Sequence, residues 1–379
     1  MSSFYRSLAA AAFALTAFIP TVAVAVSWTD LCRAGAAHCE VDLVIAGGED
    51  ADENHTLYQP TGVAIDAAGE VLVLDAKLSC VKRFSRDGAY IGSFGRDGAG
   101  PGELRGAGSM AVTTDGRIVI YEFGNRRFSV FDARGEHLES VGWFVGMHLC
   151  TGLANGSDGR LWAEIAEPDA DYTSGVYAKY LDRLDDEFHV VEVIDSVRAR
   201  QMYTVPMGGG SAISFGAPFY ETLAWCVLPD GRLAVGHTGA YRIRVFSQDG
   251  ETEATLVRDI TGPPVTDEDK DDYFASFAGD DRPGLADAVR RAVAFPKRKP
   301  VLGGLWADPA GYLIVAVTQP FGETPVYDVF DPSGEYIGDV AIENLPRRPI
   351  FAADGFVYGV RVSEEDLPKV CRFKIMPLQ

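Results

Sequence analysis

Six glycine turns, each set between two short apolar runs, constrain this 379-residue chain more than any other feature in it. They read Ala68-Gly69, Asp115-Gly116, Asp158-Gly159, Asp230-Gly231, Ala310-Gly311 and Asp354-Gly355. Gly62-Val63-Ala64-Ile65 precedes the first, for example, and Val71-Leu72-Val73-Leu74 follows it. A glycine turn between β-rich runs is the strongest short-range sign of a hairpin. Four units carry a second turn, at Asp87-Gly88, Arg134-Gly135, Asp249-Gly250 and Ser333-Gly334. The intervals from first to second glycine are 19, 19, 19 and 23 residues, and uninterrupted units recur every 43 to 47 residues. Two hairpins per period of that length make four-stranded units, and radial stacking of such units makes a propeller.

The ends of the chain indicate how the ring closes. Third strands precede the second turns at Val81 to Phe84, Phe128 to Phe131, Ile243 to Phe246 and Val326 to Phe330. The last unit reaches Val370-Cys371-Arg372-Phe373 and then lacks a fourth strand, while the run Val41 to Ala46 has no hairpin partner of its own. Placing that run as the missing outer strand pairs the two ends and leaves no open junction. The expected fold is all-β: a six-bladed β-propeller of four-stranded blades whose N-terminal strand closes the last blade.

Residues 1–25 are set aside as an export signal. Arg6 gives a positive start, Leu8 to Ile19 an apolar stretch, and Ala23-Val24-Ala25 a small-residue cleavage site. The remaining chain, 26–379, is expected to be one propeller domain, exported to the periplasm or beyond, monomeric, and without an integral membrane segment. Removing Arg6 takes the net charge from −20 to −21. So acidic a chain is repelled by nucleic acid and by anionic lipid. Of six cysteines, Cys32 and Cys39 form the only local pair, and a short disulfide clip between them is expected in an oxidising compartment.

Gln59-Pro60-Thr61-Gly62-Val63-Ala64-Ile65-Asp66, then Gly69, then Val71-Leu72-Val73-Leu74-Asp75, then Val81-Lys82-Arg83-Phe84 resembles an NHL repeat. The second unit, Met110 to Phe131, follows the pattern less closely, and in the other four it survives mainly as turn spacing. The chain thus resembles the bacterial exported six-bladed propellers of NHL type. That resemblance implies fold more than activity, because such propellers include protein-binding and RNA-binding modules as well as lyases with a zinc ion held by channel histidines. Related six-bladed propellers include strictosidine-synthase-like and gluconolactonase-like enzymes.

The repeats also act as a ruler for the channel. Loops entering each first strand and loops joining second to third strands share one face. Seven residues before each first-turn glycine stand Gly62, Ser109, Gly152, Ala224, Gly304 and Arg348; six residues after it stand Asp75, Glu122, Ile165, His237, Val317 and Arg361. The sixth unit therefore puts an arginine in both rings. Arg348 and Arg361, joined by Arg298, Lys299 and Glu122, are the candidate ligand-binding residues, since a guanidinium fork suits carboxylate or phosphate. His55, His148 and His237 are candidate ligands for a divalent ion, zinc or calcium.

Turn glycines 159 and 231 lie 72 apart, and 231 and 311 lie 80 apart, so two inserts emerge on the channel face. The first, about 196–221, contains Gly208-Gly209-Gly210 without the Gly-Lys-Ser/Thr of a phosphate loop. The second is expected to be helical over about 265–295: Thr266 and Asp269 form a capping box, Pro283 opens a second helix, and Leu285 and Val289 repeat at four. It is expected to pack on the rim between blades 4 and 5, or to cover the channel as a lid. No Gly-Xaa-Ser-Xaa-Gly elbow is present. The expected function is recognition of a protein, peptide or small anionic ligand at the channel face; the alternative is a metal-dependent lyase or hydrolase working in the channel.

Overall fold

The computed structural model describes residues 27–378 apart from 144–147, 172–173, 208–210, 278–281, 283 and 363–366. The expected export signal, the triple glycine and Pro283 lie outside the described residues. The chain opens with helix α1 (Trp28–Ala34), capped by Ser27, and strand β1 (Ala36–Gly47). A first four-stranded sheet follows, of β2 (Pro60–Ile65), β3 (Val71–Asp75), β4 (Cys80–Phe84) and β5 (Tyr90–Phe94). The second contains β6 (Ala107–Val112), β7 (Ile118–Glu122), β8 (Arg127–Phe131) and β9 (His137–Gly142). The third contains β10 (Leu149–Asn155), β11 (Leu161–Pro168), β12 (Val176–Leu184) and β13 (Val190–Arg200), then a separate hairpin, β14 (Met202–Pro206) and β15 (Ala212–Gly216). The fourth is β16 (Leu223–Val227), β17 (Leu233–His237), β18 (Arg242–Phe246) and β19 (Thr252–Val257), followed by helices α2 (Asp267–Ala275) and α3 (Leu285–Ala292).

The rest of the chain forms one eight-stranded sheet. Its first run is β20 (Leu302–Ala307), β21 (Leu313–Val317), β22 (Val326–Phe330) and β23 (Tyr336–Glu343). Its second is β24 (Ile350–Phe351), β25 (Val357–Arg361) and β26 (Lys369–Pro377), completed by β1. The run Val41 to Ala46 thus lies beside the C-terminal strand, antiparallel, with Val41 opposite Phe373 and Ala46 opposite Val370. The two runs join because Ala36 to His38 of β1 also pair in parallel with Ala341 to Glu343.

The result is an all-β, propeller-like arrangement of four-stranded sheets with three short helices among the described residues. The six first-turn glycines all hold φ between 80 and 92°, a conformation open to glycine at little cost. Successive sheets bury apolar cores against each other. Leu74 and Ile120 meet between the first and second; Ile45, Tyr358 and Val370 meet Val73 and Phe84 where the last run returns to the first. Among the described residues no helix is long and apolar enough to cross a membrane.

All six cysteines are unpaired thiols, so the expected Cys32–Cys39 clip is not formed. Cys32 on α1 packs toward Gly338, and Cys39 is buried in β1. Burial pushes the two thiols up to about 11 and about 12.

The two inserts are one structure. Val205 of the hairpin packs with Leu285 and Val289 of α3 in a small core of their own, joined by Ile213, Phe215 and Phe277. The Tyr203 hydroxyl donates to the Ala294 carbonyl (3.1 Å), and the Tyr273 hydroxyl to the Gly216 carbonyl (2.8 Å). Helix α2 starts with the expected capping box of Thr266 and Asp269. Hairpin and helices form a cap rooted on both sides of the fourth sheet.

Candidate functional site

In an antiparallel meander the loop entering the first strand and the loop joining second to third emerge at the same end. The turn glycines occupy the opposite end, the hairpin face. At the channel face of the first two sheets, buried carboxylates end the second strands. Asp75 accepts the backbone N–H of Tyr58 (2.7 Å), Gln59 (3.1 Å), Lys77 (3.0 Å) and Leu78 (3.1 Å). Glu122, the equivalent of Asp75 47 residues on, accepts from Arg105 N–H (2.8 Å), Asn125 Nδ2 (2.6 Å), Arg127 Nε (2.9 Å) and Ser129 Oγ (2.5 Å). It is completely buried. Glu122 therefore has no lone pair left for a ligand, and its job is to hold the loop above it. The signal was in the sequence, since Glu122 matches the structural aspartate of the first repeat.

Lys299 is also committed to the fold. Its ammonium lies 2.5 Å from Asp269 Oδ1, with both side chains almost inaccessible, and it sits over the Phe219 ring at 5.5 Å. Burial works against the Asp269 carboxylate, but hydrogen bonds from Lys299 and Thr266 hold it below its ordinary range. This pair ties α2 to the chain entering β20. Arg298 is exposed and donates to the Gly262 carbonyl at 2.9 Å.

The three histidines do not converge. His55 Nδ1 lies 2.7 Å from Asp52, and its Nε2 lies 3.1 Å from the carbonyl of Gly88, a hairpin-face turn. His148 Nε2 lies 3.2 Å from Glu167 Oε1, on the side of the third sheet that faces the second. His237, on the fourth sheet, reaches across to the third sheet's outer strand, Nε2 3.1 Å from Asp195 Oδ1, with Nδ1 3.8 Å from Glu221. Arg244 grips the other Asp195 oxygen. Burial opposes charge on Asp195, yet His237 and Arg244 keep its carboxyl below the usual range. His237 is available because Thr238 takes over the capping work in this sheet, its hydroxyl accepting Thr222 N–H at 2.9 Å. Asp195, Arg244 and Glu221 were invisible to the repeat ruler, which aligns turns rather than neighbouring sheets.

Among the described residues, the grouping whose ligand atoms lie within 4.8 Å of one another is Asp185, Glu187 and His189, all exposed on the β12–β13 turn. This hairpin face also holds a cavity of about 460 Å³ between the second and third sheets, lined by Thr113, Asp158, Arg160, Arg183 and Phe188. Its charges are mixed: Arg160 lies 3.3 Å from Asp158 and Arg183 3.1 Å from Glu192.

Arg348 and Arg361 lie together on the last run, the first just before β24 and the second at the end of β25. The Arg348 carbonyl lies 3.6 Å from where a Cβ on Gly359 would stand, so Arg348 runs beside strand β25, which ends at Arg361. Both arginines are exposed, and among the described residues neither is in an ion pair. Elsewhere Arg83, Arg127, Arg258 and Arg372 each rest on a carboxylate.

No family model and no curated protein matches the sequence. Solved structures do match. A Bacteroides fragilis protein inferred to be exported is 13% identical, covers 90% of this chain and 96% of its own, and gives a TM-score of 0.51. A gluconolactonase from Xanthomonas campestris is 16% identical over 93% and 94% of the two chains (TM-score 0.45). Virginiamycin B lyase from Staphylococcus aureus is 12% identical over 90% and 88% (TM-score 0.42). At such identities the likeness is one of fold, and of these three the Bacteroides fragilis protein alone has a TM-score above 0.5.

Proposed function

We propose that this chain is an exported six-bladed propeller of NHL type that binds an anionic ligand at its channel face through Arg348 and Arg361. The eight-stranded sheet then counts as two blades fused through β1. Supporting this count, each successive four-strand run shares an apolar core with the next, and the last returns to the first. One observation carries the binding reading: in a chain of net charge −20, two arginines at the channel end of the paired strands of the last run stand exposed, and among the described residues neither is in an ion pair. Such groups attract anions at range and can chelate two oxygens at once. In thermal-shift titrations, citrate and polyglutamate are expected to raise the melting temperature of the wild type but not of the Arg348→Gln/Arg361→Gln double variant. Equal shifts in both proteins would rule the reading out.

A competing reading, a metal-dependent lyase or hydrolase acting in the channel, draws on His237, whose ring is oriented by the Asp195–Arg244 pair and remains partly open near Glu221. A carboxylate behind a histidine fixes its tautomer and ring orientation. This reading requires stoichiometric zinc or calcium to survive gentle dialysis. Protein found free of metal by elemental analysis removes it.

A further inference from the structure

Beyond the two arginines, the channel face of the adjoining sheets presents large apolar side chains to solvent. Tyr58, in the loop entering β2, is 51% exposed, and Phe123, directly after β7, is 49% exposed. Neither is a stray side chain on a loose loop. Asp75 fixes Tyr58 through its backbone N–H, and Phe123 N–H donates to the Gly106 carbonyl at 3.1 Å, beside the loop that Glu122 fixes. The loop that carries Phe123 repeats the geometry of the β3–β4 loop, whose Ala76 N–H donates to the carbonyl of Gln59 beside Tyr58; each ends on a left-handed residue, Arg126 at φ 51° and Ser79 at φ 53°. Two fully buried carboxylates, and in Phe123's own loop the left-handed Arg126, thus hold bulky apolar groups out in water. Such an arrangement costs stability and returns none through burial.

Cations accompany these side chains. Lys77, in the β3–β4 loop, and Arg126, in the loop that carries Phe123, are exposed, and among the described residues form no ion pair. Arg348 and Arg361 stand on the neighbouring run. The acids of residues 49–53 stand earlier in the loop that carries Tyr58, on the stretch where Lys82 donates to the carbonyls of Glu53 and Asn54. Stacked sheets lie about 10 Å apart, so a row crossing three of them spans roughly 20 Å. That is the length of about six residues of extended chain, and more than a small carboxylate or phosphate can bridge. Aromatic and arginine side chains side by side are also the residues that dominate protein–protein contacts.

We infer that this face docks an extended acidic polypeptide segment carrying bulky apolar side chains, with Tyr58 and Phe123 receiving the apolar groups and Lys77, Arg126, Arg348 and Arg361 the carboxylates. The inference rests on the anion-binding reading above and names its ligand class. The test is selection of a random 12-residue peptide library, displayed on phage, against the immobilised protein. Selected peptides are expected to be rich in Asp or Glu together with Phe, Tyr, Trp or Leu. Their affinity should fall about tenfold or more in Tyr58→Ser/Phe123→Ser, a variant expected to keep the wild-type melting temperature because both side chains are exposed. Peptides that lose affinity only in Arg348→Gln/Arg361→Gln would overturn the apolar half and leave the anion site standing. Peptides indifferent to the arginines would overturn the anion site itself. No enrichment over the Tyr58/Phe123 variant, enrichment of basic peptides, or preferred binding of a single-stranded oligonucleotide would each overturn the polypeptide inference.

Discussion

Glu122 accepts four hydrogen bonds while fully buried, so its removal strands four donors, among them the fully buried Ser129 hydroxyl. Glu122→Ala is expected to lower stability by about 3 kcal/mol or more, chiefly by leaving Arg127 uncompensated. Urea unfolding measures it, and an unchanged midpoint would deny the cap. Asp182 presents the opposite case. It is 4% exposed between the second and third sheets, one carboxyl oxygen lacks a hydrogen-bond partner, and burial pushes it up to about 6 despite the attraction of His148. Its folded pKa thus stands above the unfolded 3.8, so the native state holds the proton more tightly. The contribution to stability is full below about pH 4 and is lost as pH rises through 6. At 1.4 kcal/mol per unit the ceiling is about 3 kcal/mol. Asp182→Asn, neutral at every pH, should match the wild type at pH 4 and exceed it at pH 8; equal stability at both values would contradict the burial argument.

At the scale of elements, the cap is a separable unit with its own core. Leu285 and Val289 are buried against Val205, away from the cores between sheets. Leu285→Ala should cost about 2–5 kcal/mol, as large-to-small core changes do, but spend it locally. Hydrogen exchange is the measurement: protection should fall in β14, β15 and α2, while β16 to β19 keep theirs. Loss of protection throughout would mean that the cap and the fourth sheet unfold together. The cap also marks where sequence reading stopped. The capping box and the four-residue spacing of Leu285 and Val289 were legible because each is local. That Tyr203 would donate to Ala294, 91 residues later, was not, because no periodicity links two inserts that share no strand pairing. The same holds for His237 and Asp195, which meet across a sheet boundary. Asp75 and Glu122 could have been read together, since the repeat that set their spacing also sets their common role.

For the whole molecule, closure is the feature on which the rest depends. Strand β1 pairs with β26 along most of its length and with β23 at its start, so one strand bonds both halves of the eight-stranded sheet. Helix α1 adds a second hold: Trp28, 1% exposed, donates to Asp308 Oδ2 at 2.8 Å and packs in the core that contains Val329 and Phe373. Removing residues 27–47 would strip a long strand from β26 and leave that core open, with a bare hydrophobic edge ready to pair with another chain. Compared with the chain beginning at Ser27, the truncated chain is expected to melt at least 10 °C lower and to form oligomers on size-exclusion chromatography, since a ring gains stability from neighbour contacts all around it. Trp28→Phe separates clasp from helix. It removes one buried hydrogen bond and leaves β1 in place, so it should cost only about 1–3 kcal/mol and leave the elution volume of the parent chain unchanged. A truncated chain with the parent's oligomeric state and an unchanged melting temperature would show that the C-terminal run holds without its partner strand. The channel face would then owe its geometry to the individual sheets rather than to the closed ring.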